Sequence, residues 1–344
     1  MSTLPVVGTG TTQATPSSGL PLYQRKYSLQ LLTPSGSDTN VLTVTDSSWE
    51  PEALRITFDT QQVGLQSNYW FADIVIYNAD KATATAILQA SSNISQGMIA
   101  VLRAGYIGGP ENNIIWQGPV FQPLWVRENV VDYKITLRCI LSLESAISGN
   151  TISANYGAGS SQYDVVIKMI ESLGLQPGTI SPNLSTKPMS RGFTWFGSPD
   201  KELDRIVRGN NMLWWLDMDG KVNIGHPNDG QVSEAPTIVY TPTTGLIGTP
   251  EQTQYGVNFT VLLDPRLKVQ MPMLTAAINN AAIRQYQIQY GSYNFLPLDQ
   301  DGVYVIGSVR HRGDSRGNAW YTDVTGFVKV GDALAWAALA NINH

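Results

Sequence analysis

Charge is what this sequence has little of. Only 14% of its 344 residues are Asp, Glu, Lys or Arg, where about a quarter is usual. The 22 basic and 27 acidic side chains leave a net charge of -5. That balance excludes a protein gripping nucleic-acid phosphates over a broad basic face, although it leaves room for a local basic patch. Cysteine occurs once, at Cys139, so no internal disulfide and no thiolate metal cluster can form. Histidine occurs at His226, His311 and His344 only, and no Gly-x-Ser-x-Gly elbow is present, so a nucleophilic triad has no frame. There is no P-loop, and "AGYIGG" (104–109) leads into a loop and a strand rather than a phosphate-binding helix. No window approaches about 18 consecutive apolar residues. The opening "MSTLPVVGTGTTQATPSSGLP" has neither a basic n-region nor an apolar core. The expectations are no membrane anchor, no secretory signal and folding in a cytosol.

Glycine (31), proline (19) and many Ser, Thr, Asn and Gln residues fill the space that charge leaves. That mixture favours strands joined by turns over long solvated helices. The length suits two or three domains. From about 22 to 141 strand follows strand. "LRITFDT" (54–60) alternates, "ADIVIYN" (72–78) is a continuous β-rich run, and "MIAVLRAGYI" and "IIWQGPVFQ" flank the turn-rich "GGPENN" as a hairpin. In "DYKITLRCIL" (132–141) the alternation puts Cys139 on the apolar side of a half-buried strand. "LSLESAIS" (141–148) suggests a short closing helix.

The Gly/Ser/Asn-rich "GNTISANYGAGSSQ" (149–162) reads as a domain break, and the character then changes. "SQYDVVIKMIESLGL" predicts a helix capped by Ser161 and stopped at Gly174, with Val165, Val166, Met169, Ile170 and Leu173 as its apolar stripe. "GSPDKELDRIVRGN" predicts a second, with Ser198 as cap and Pro199 in the first turn. "MLWWLDMDGKVNIG" folds back on Asp219-Gly220. From about 237 the strands return: "YGVNFTVLLDP", then "GVYVIGSVRH" and "AWYTDVTGFVKV" joined by "RGDSRGN" (312–318). The fold expected is mainly β, of α+β kind. A flexible arm (1–21) precedes a first β-unit (22–150), a small α/β unit of two helices and a hairpin (151–236), a second β-unit (237–331) and an Ala-rich tail (332–344). No residue-by-residue repeat links the two β-units.

Three features invite a functional reading. Arg312-Gly313-Asp314 is an adhesion tripeptide, but two glycines and an Asn between alternating runs predict a hairpin tip instead, with His311 at the strand end making a local hydrogen bond. Asp217, Asp219 and Glu171 are candidate glycosidase carboxylates, yet Asp217 and Asp219 flank a turn where Asp is expected anyway. Trp214 and Trp215 are adjacent, so a strand points them to opposite faces, one onto the helices and the other outward or into a subunit contact.

Several blocks taken in order resemble the hub proteins of phage tails, of the kind found in Mu-like contractile tails. "IVIYNADKATATAIL", "VLRAGYIGGPENNIIWQGPV" and "YKITLRCI" resemble the family's first domain. "YDVVIKMIESLGL", "FTWFGSPDKELDRIV" and "WWLDMDGKVNI" resemble its small middle domain. "LIGTPEQTQYGVNFTVLLDPRLKV" and "DGVYVIGSVRHRGDSRGNAWYTDVTG" resemble its last. The resemblance implies two β-barrels related to the tail-tube subunit in each chain. A homotrimer of such chains forms a pseudo-sixfold baseplate ring. The implied partners are the central spike, the tail tube or its initiator, baseplate wedge proteins and the tape measure protein, with DNA passing through without specific binding. The implied location is the virion baseplate, after assembly in the host cytoplasm. It implies no enzyme: no catalytic, cofactor-binding or metal-binding residue, and no cofactor. The alternative is a carbohydrate-binding or glycan-cleaving β-protein of a tail, which calls for an aromatic-lined groove with two facing carboxylates. A secreted bacterial β-protein fits less well, for want of a signal peptide and of cysteine pairs.

Overall fold

The computed structural model describes residues 24–35, 38–46, 53–63, 70–91, 98–109, 113–141, 151–225, 237–254, 256–269, 274–285 and 297–328. The arm, the tail, the helix expected at 142–148, His226 and His344 lie outside them. The first unit contributes β1 (Arg25–Ser35), β2 (Asp38–Asp46), β3 (Ile56–Val63), β4 (Phe71–Tyr77), helix α1 (Lys81–Ser91), β5 (Ile99–Tyr106), β6 (Ile114–Arg127) and β7 (Tyr133–Ile140). The middle unit follows: β8 (Ile152–Tyr156), α2 (Gln162–Ser172), β9 (Gln176–Ile180), β10 (Phe193–Gly197), α3 (Pro199–Gly209), β11 (Leu213–Leu216) and β12 (Lys221–Gly225). The last unit holds β13 (Ile238–Tyr240), β14 (Leu246–Thr253), β15 (Gly256–Leu262), β16 (Thr275–Ile278), β17 (Val303–Asp314) and β18 (Trp320–Phe327).

The two outer units repeat one topology. In the first, neighbours run β3-β4-β7-β6-β5; in the last they run β14-β15-β18-β17-β16. The chain visits both sets in the same sequence, and every pair in both is antiparallel. A sixth strand lies beside each set, antiparallel for β1 on β5 and parallel for β13 on β16. The fourth strand is the long one in both cases. β6 pairs β5 with its first half and β7 with its second, and β17 divides itself likewise between β16 and β18.

These sets join into one 13-stranded sheet because β17 also pairs β3, from Ser308↔Val63 to Asp314↔Thr57. The last unit reaches into the first a second time through residues 263–269. There Leu263, Leu267 and Val269 are buried, and Val269 N donates to Gln62 Oε1 at 3.1 Å while Gln62 Nε2 donates to the Ile115 carbonyl at 3.2 Å. A buried amide satisfied on both sides fixes the register of that contact.

The middle unit matches its sequence closely. Ser161 caps α2 in a full capping box with Asp164, and Val165, Val166, Met169 and Ile170 are buried. Gly174 follows at a φ of +73°, which a side chain would resist. Ser198 does precede α3, but its hydroxyl bonds the Asp200 carboxylate instead of a backbone N–H. Cys139 is buried as expected, and burial raises its thiol pKa far above the ordinary range.

Four expectations need correcting. α1 interrupts the run of strands in the first unit; its "KATATAILQAS" has no acid in the first turn, and burial of Ala84 and Ile87 holds it in place. The expected domain break contains β8, which pairs with β10. Both Trp214 and Trp215 are buried. Trp214 Nε1 donates to Asp204 of α3 at 3.3 Å. Finally, β17 does not stop at His311: it runs on through Arg312, Gly313 and Asp314, because β18 and β3 pair with it on both sides. His311 is therefore a fully buried mid-strand residue, with Nδ1 2.9 Å from Thr322 Oγ1, and only residues beyond Asp314 turn. Gly313 is a packing residue, since a Cβ there would stand 2.2 Å from Phe58 Cζ.

Candidate assembly surface

Alternation across the joined strands gives the sheet one apolar and one polar face. The polar face runs from β15 through β18, β17, β3 and β4 to β7, so both outer units contribute to it. One row reads Thr260, Asp323, Arg310 and Gln61; the next reads Tyr321, Arg312, Asp59, Asp73 and Arg138. Charges on it are paired across strands, two of the pairs diagonally and Arg138–Asp73 directly. Arg310 Nε donates to Asp59 Oδ1 at 2.7 Å, Arg312 Nη2 stands 2.7 Å from Asp323 Oδ2, and Arg138 Nε stands 4.0 Å from Asp73 Oδ1. Thr260 Oγ1 adds a hydrogen bond to Asp323 at 2.8 Å. Exposed pairs of this kind contribute at most about 1 kcal/mol each. Their larger effect is on the field: each cation here has an anion beside it, and no basic track remains on these rows.

The adhesion tripeptide is engaged within the molecule. Arg312 pairs with Asp323, and Asp314 Oδ2 takes Arg55 Nη2 at 2.7 Å. Burial would raise the Asp314 pKa, but the Arg55 hydrogen bond and backbone N–H donors from Arg316 and Gly317 hold it below the usual carboxylate range. The tip beyond it is held by the first unit: Arg25 donates to the Asp314 carbonyl at 3.1 Å, Ser315 N to the Ile56 carbonyl at 2.9 Å and Arg316 to the Ala53 carbonyl at 2.8 Å. The tripeptide thus belongs to the joint between the outer units.

The carboxylates weighed for glycoside chemistry are not assembled into a pair. Asp217 Oδ1 accepts from Asp219 N at 3.0 Å and Lys221 N at 2.9 Å, the turn role expected of it, and Glu171 lies exposed at the end of α2. A cleft of about 480 Å³ opens on the polar face, where the β14–β15 register shifts between Ile247 and Glu251. It is lined by Gln61, Thr249, Glu251, Asn258, Arg310 and Asp323 among others, and by no tryptophan. Glu251 is ion-paired with Arg284 at 2.9 Å and Asp323 with Arg312 at 2.7 Å.

A feature the sequence did not announce is the β6–β7 tip. Among the described residues, five of the ten exposed large apolar side chains fall between 125 and 133: Trp125, Val126, Val130, Val131 and Tyr133. The loop beneath them is firmly built. Asn129 Oδ1 accepts from Val131 N at 2.9 Å and Asp132 N at 2.8 Å, and Asn78 Nδ2 donates to Asp132 Oδ1 at 2.8 Å. Arg127 donates to the carbonyls of Asn129 and Val130, and Lys134 pairs with Glu128 at 3.3 Å. Within 127–134 the cations Arg127 and Lys134 are balanced by Glu128 and Asp132, and the two valines stand out as an apolar knob.

The fold is similar to those of solved phage tail proteins. The 43 kDa tail protein of prophage MuSo2 from Shewanella oneidensis superposes on the chain with a TM-score of 0.51 at 9% identity, covering 90% of this chain and 99% of that one. A tail protein from Neisseria meningitidis MC58 gives 0.53 at 11% identity, over 88% and 96%. At such identities the likeness establishes the fold. No protein-family model matches the sequence, and neither does any curated protein.

Proposed function

We propose that the chain is the baseplate hub of a contractile tail, a structural protein and not an enzyme. Three copies form a ring that joins a sixfold tail tube, or its initiator, to a threefold central spike, with wedge and tape measure proteins as further neighbours. The units at 22–150 and 237–331 are the tube-like barrels, and 151–236 is the insert between them. The observation that carries this reading is the repeated strand order of the two outer units, joined edge to edge by β17 and β3. One chain supplies two like units, so three chains supply six. Among the described residues, Gln122–Arg127 of β6 pair with β7 alone, and β14 pairs β15 on one side and meets only Arg284 on the other, edges that suit a head-to-tail ring.

In this ring the polar face lines the channel. Its charges are already paired, so it offers DNA no run of free cations to bind and release counterions. The virion baseplate is the corresponding location, reached by assembly in the host cytoplasm. Mass photometry of the purified chain tests the stoichiometry. The expected species is three chain masses, populated more as concentration rises; a particle that stays monomeric at every concentration contradicts the proposal.

A further inference from the structure

The repeat allows the joint within the chain to be mapped onto the joint between chains. Pairing registers define the equivalence. Gly313↔Trp320 in the last unit corresponds to Arg127↔Tyr133 in the first, and Ile56↔Ile76 corresponds to Leu246↔Val261. The β17–β18 tip thus matches the β6–β7 tip, and the residues just before β3 match those just before β14. Inside the chain, the β17–β18 tip sits on Ala53 and Ile56, immediately before and at the start of β3. The corresponding place beside β14 is the turn Thr241–Gly245, closed by Thr244 N on the Thr241 carbonyl at 3.0 Å and by Leu246 N on the same carbonyl at 2.9 Å.

We infer that the Val130–Val131 knob of one copy docks on the Thr241–Gly245 turn of the next, a residue-level account of the ring proposed above and dependent on it. The occupant is a second copy because the same chain carries both halves of the contact, the knob on the β6–β7 tip and the turn beside β14, with β15, β18, β17, β3 and β4 between them. The chain's own knob and turn are separated by the whole run from β7 to β15, and the sheet holds them apart.

The two joints differ in chemistry. Within the chain the tip is polar and is held by Arg25, Arg55 and Asp314. Between copies the backbone ladder cannot be repeated in full, because part of the β14 edge is already taken: Gln252 N donates to the Arg284 carbonyl at 3.0 Å and Arg284 N to the Pro250 carbonyl at 2.8 Å. The knob then supplies what the ladder does not. Val130 and Val131 are 80% and 77% exposed, and their loop is already ordered, so docking costs little conformational entropy. A membrane or nucleic acid is a poorer fit, since Arg127 and Lys134 share the tip with the acids Glu128 and Asp132, and Lys134 is paired with Glu128.

The test uses full-length chains in which Cys139, buried and unreactive, is the only other thiol. Val131→Cys and Thr243→Cys proteins are mixed and treated with a short bismaleimide. The expected product is a linked species of two chain masses that needs both variants. Its yield should fall about tenfold or more when Val130→Ser is added to the Val131→Cys protein, the scale of uncovering one valine. Particles of three chain masses that give no such product overturn this docking and leave the hub reading standing. A chain that neither links nor assembles overturns both. Val130→Ser and Val131→Ser together should also lower the trimer fraction without changing the thermal midpoint; a trimer that persists unchanged counts against the knob.

Discussion

Replacing Asp264 by alanine is expected to cost about 3–5 kcal/mol of folding stability, about a fifth or more of what a typical domain has. The carboxylate is buried where the last unit turns into the first. It accepts from Tyr240 Oη at 2.7 Å, from Arg266 Nε at 2.9 Å and from Arg266 Nη2 at 2.6 Å. Burial and the neighbouring Asp264 push the Tyr240 phenol well above its ordinary pKa, so it remains a neutral donor. Removing Asp264 strands that hydroxyl and a largely covered guanidinium together, and the desolvation of both goes uncompensated. Asp264→Asn retains an acceptor and the packing, so it should cost less than the alanine. Urea unfolding of the three proteins checks the order. A loss under about 1 kcal/mol for Asp264→Ala would mean that the network is not holding the 263–269 segment.

The second large effect is a loss of stability in acid that passes through His311. Thr322 Oγ1 accepts from Asp264 N at 3.1 Å and stands 2.9 Å from His311 Nδ1, so the imidazole is held between the last unit's strands and the 263–269 segment. Burial is the main cause that lowers the imidazole pKa to about 4. Lys268 lowers it further, while Asp264 and the Leu267 backbone pull it upward. The unfolded chain takes up this proton near pH 6.5, the folded chain only near pH 4. Between those values the unfolded state binds more protons, so stability falls as pH falls, and this contribution levels off below pH 4. The whole step is about 3 kcal/mol. Urea midpoints measured from pH 7 to pH 4.5 should drop for the natural chain and drop less for His311→Gln. Parallel curves for the two proteins would exclude His311 as the source.

The sequence disclosed what local chemistry decides. Caps, stops and stripes placed α2 and α3, the Asp219-Gly220 turn placed β11 and β12, and alternation placed β7 and β15. What escaped it depends on partners far away in the chain. Asp314 is strand and not turn because Thr57 pairs with it. His311 is buried for the same reason, since β3 and β18 flank it on either side. The repeat between the outer units is a repeat of pairing order, and pairing order leaves no residue-by-residue trace. The knob was missed because Val130 and Val131, read in isolation, are two apolar residues in a polar hairpin. Only their exposure, beside Trp125 and Tyr133, marks them as a surface.

The central claim is that six like units, two per chain, close into one ring with the polar face inward. A cryo-EM reconstruction of the purified assembly, viewed down its axis, tests it most directly. The account predicts three chains, six similar β-units in which the β17–β3 joint alternates with the joint between copies, and Arg310, Asp59, Arg312 and Asp323 facing the channel. An assembly of another stoichiometry, or one with those four side chains on its outer wall, would contradict it.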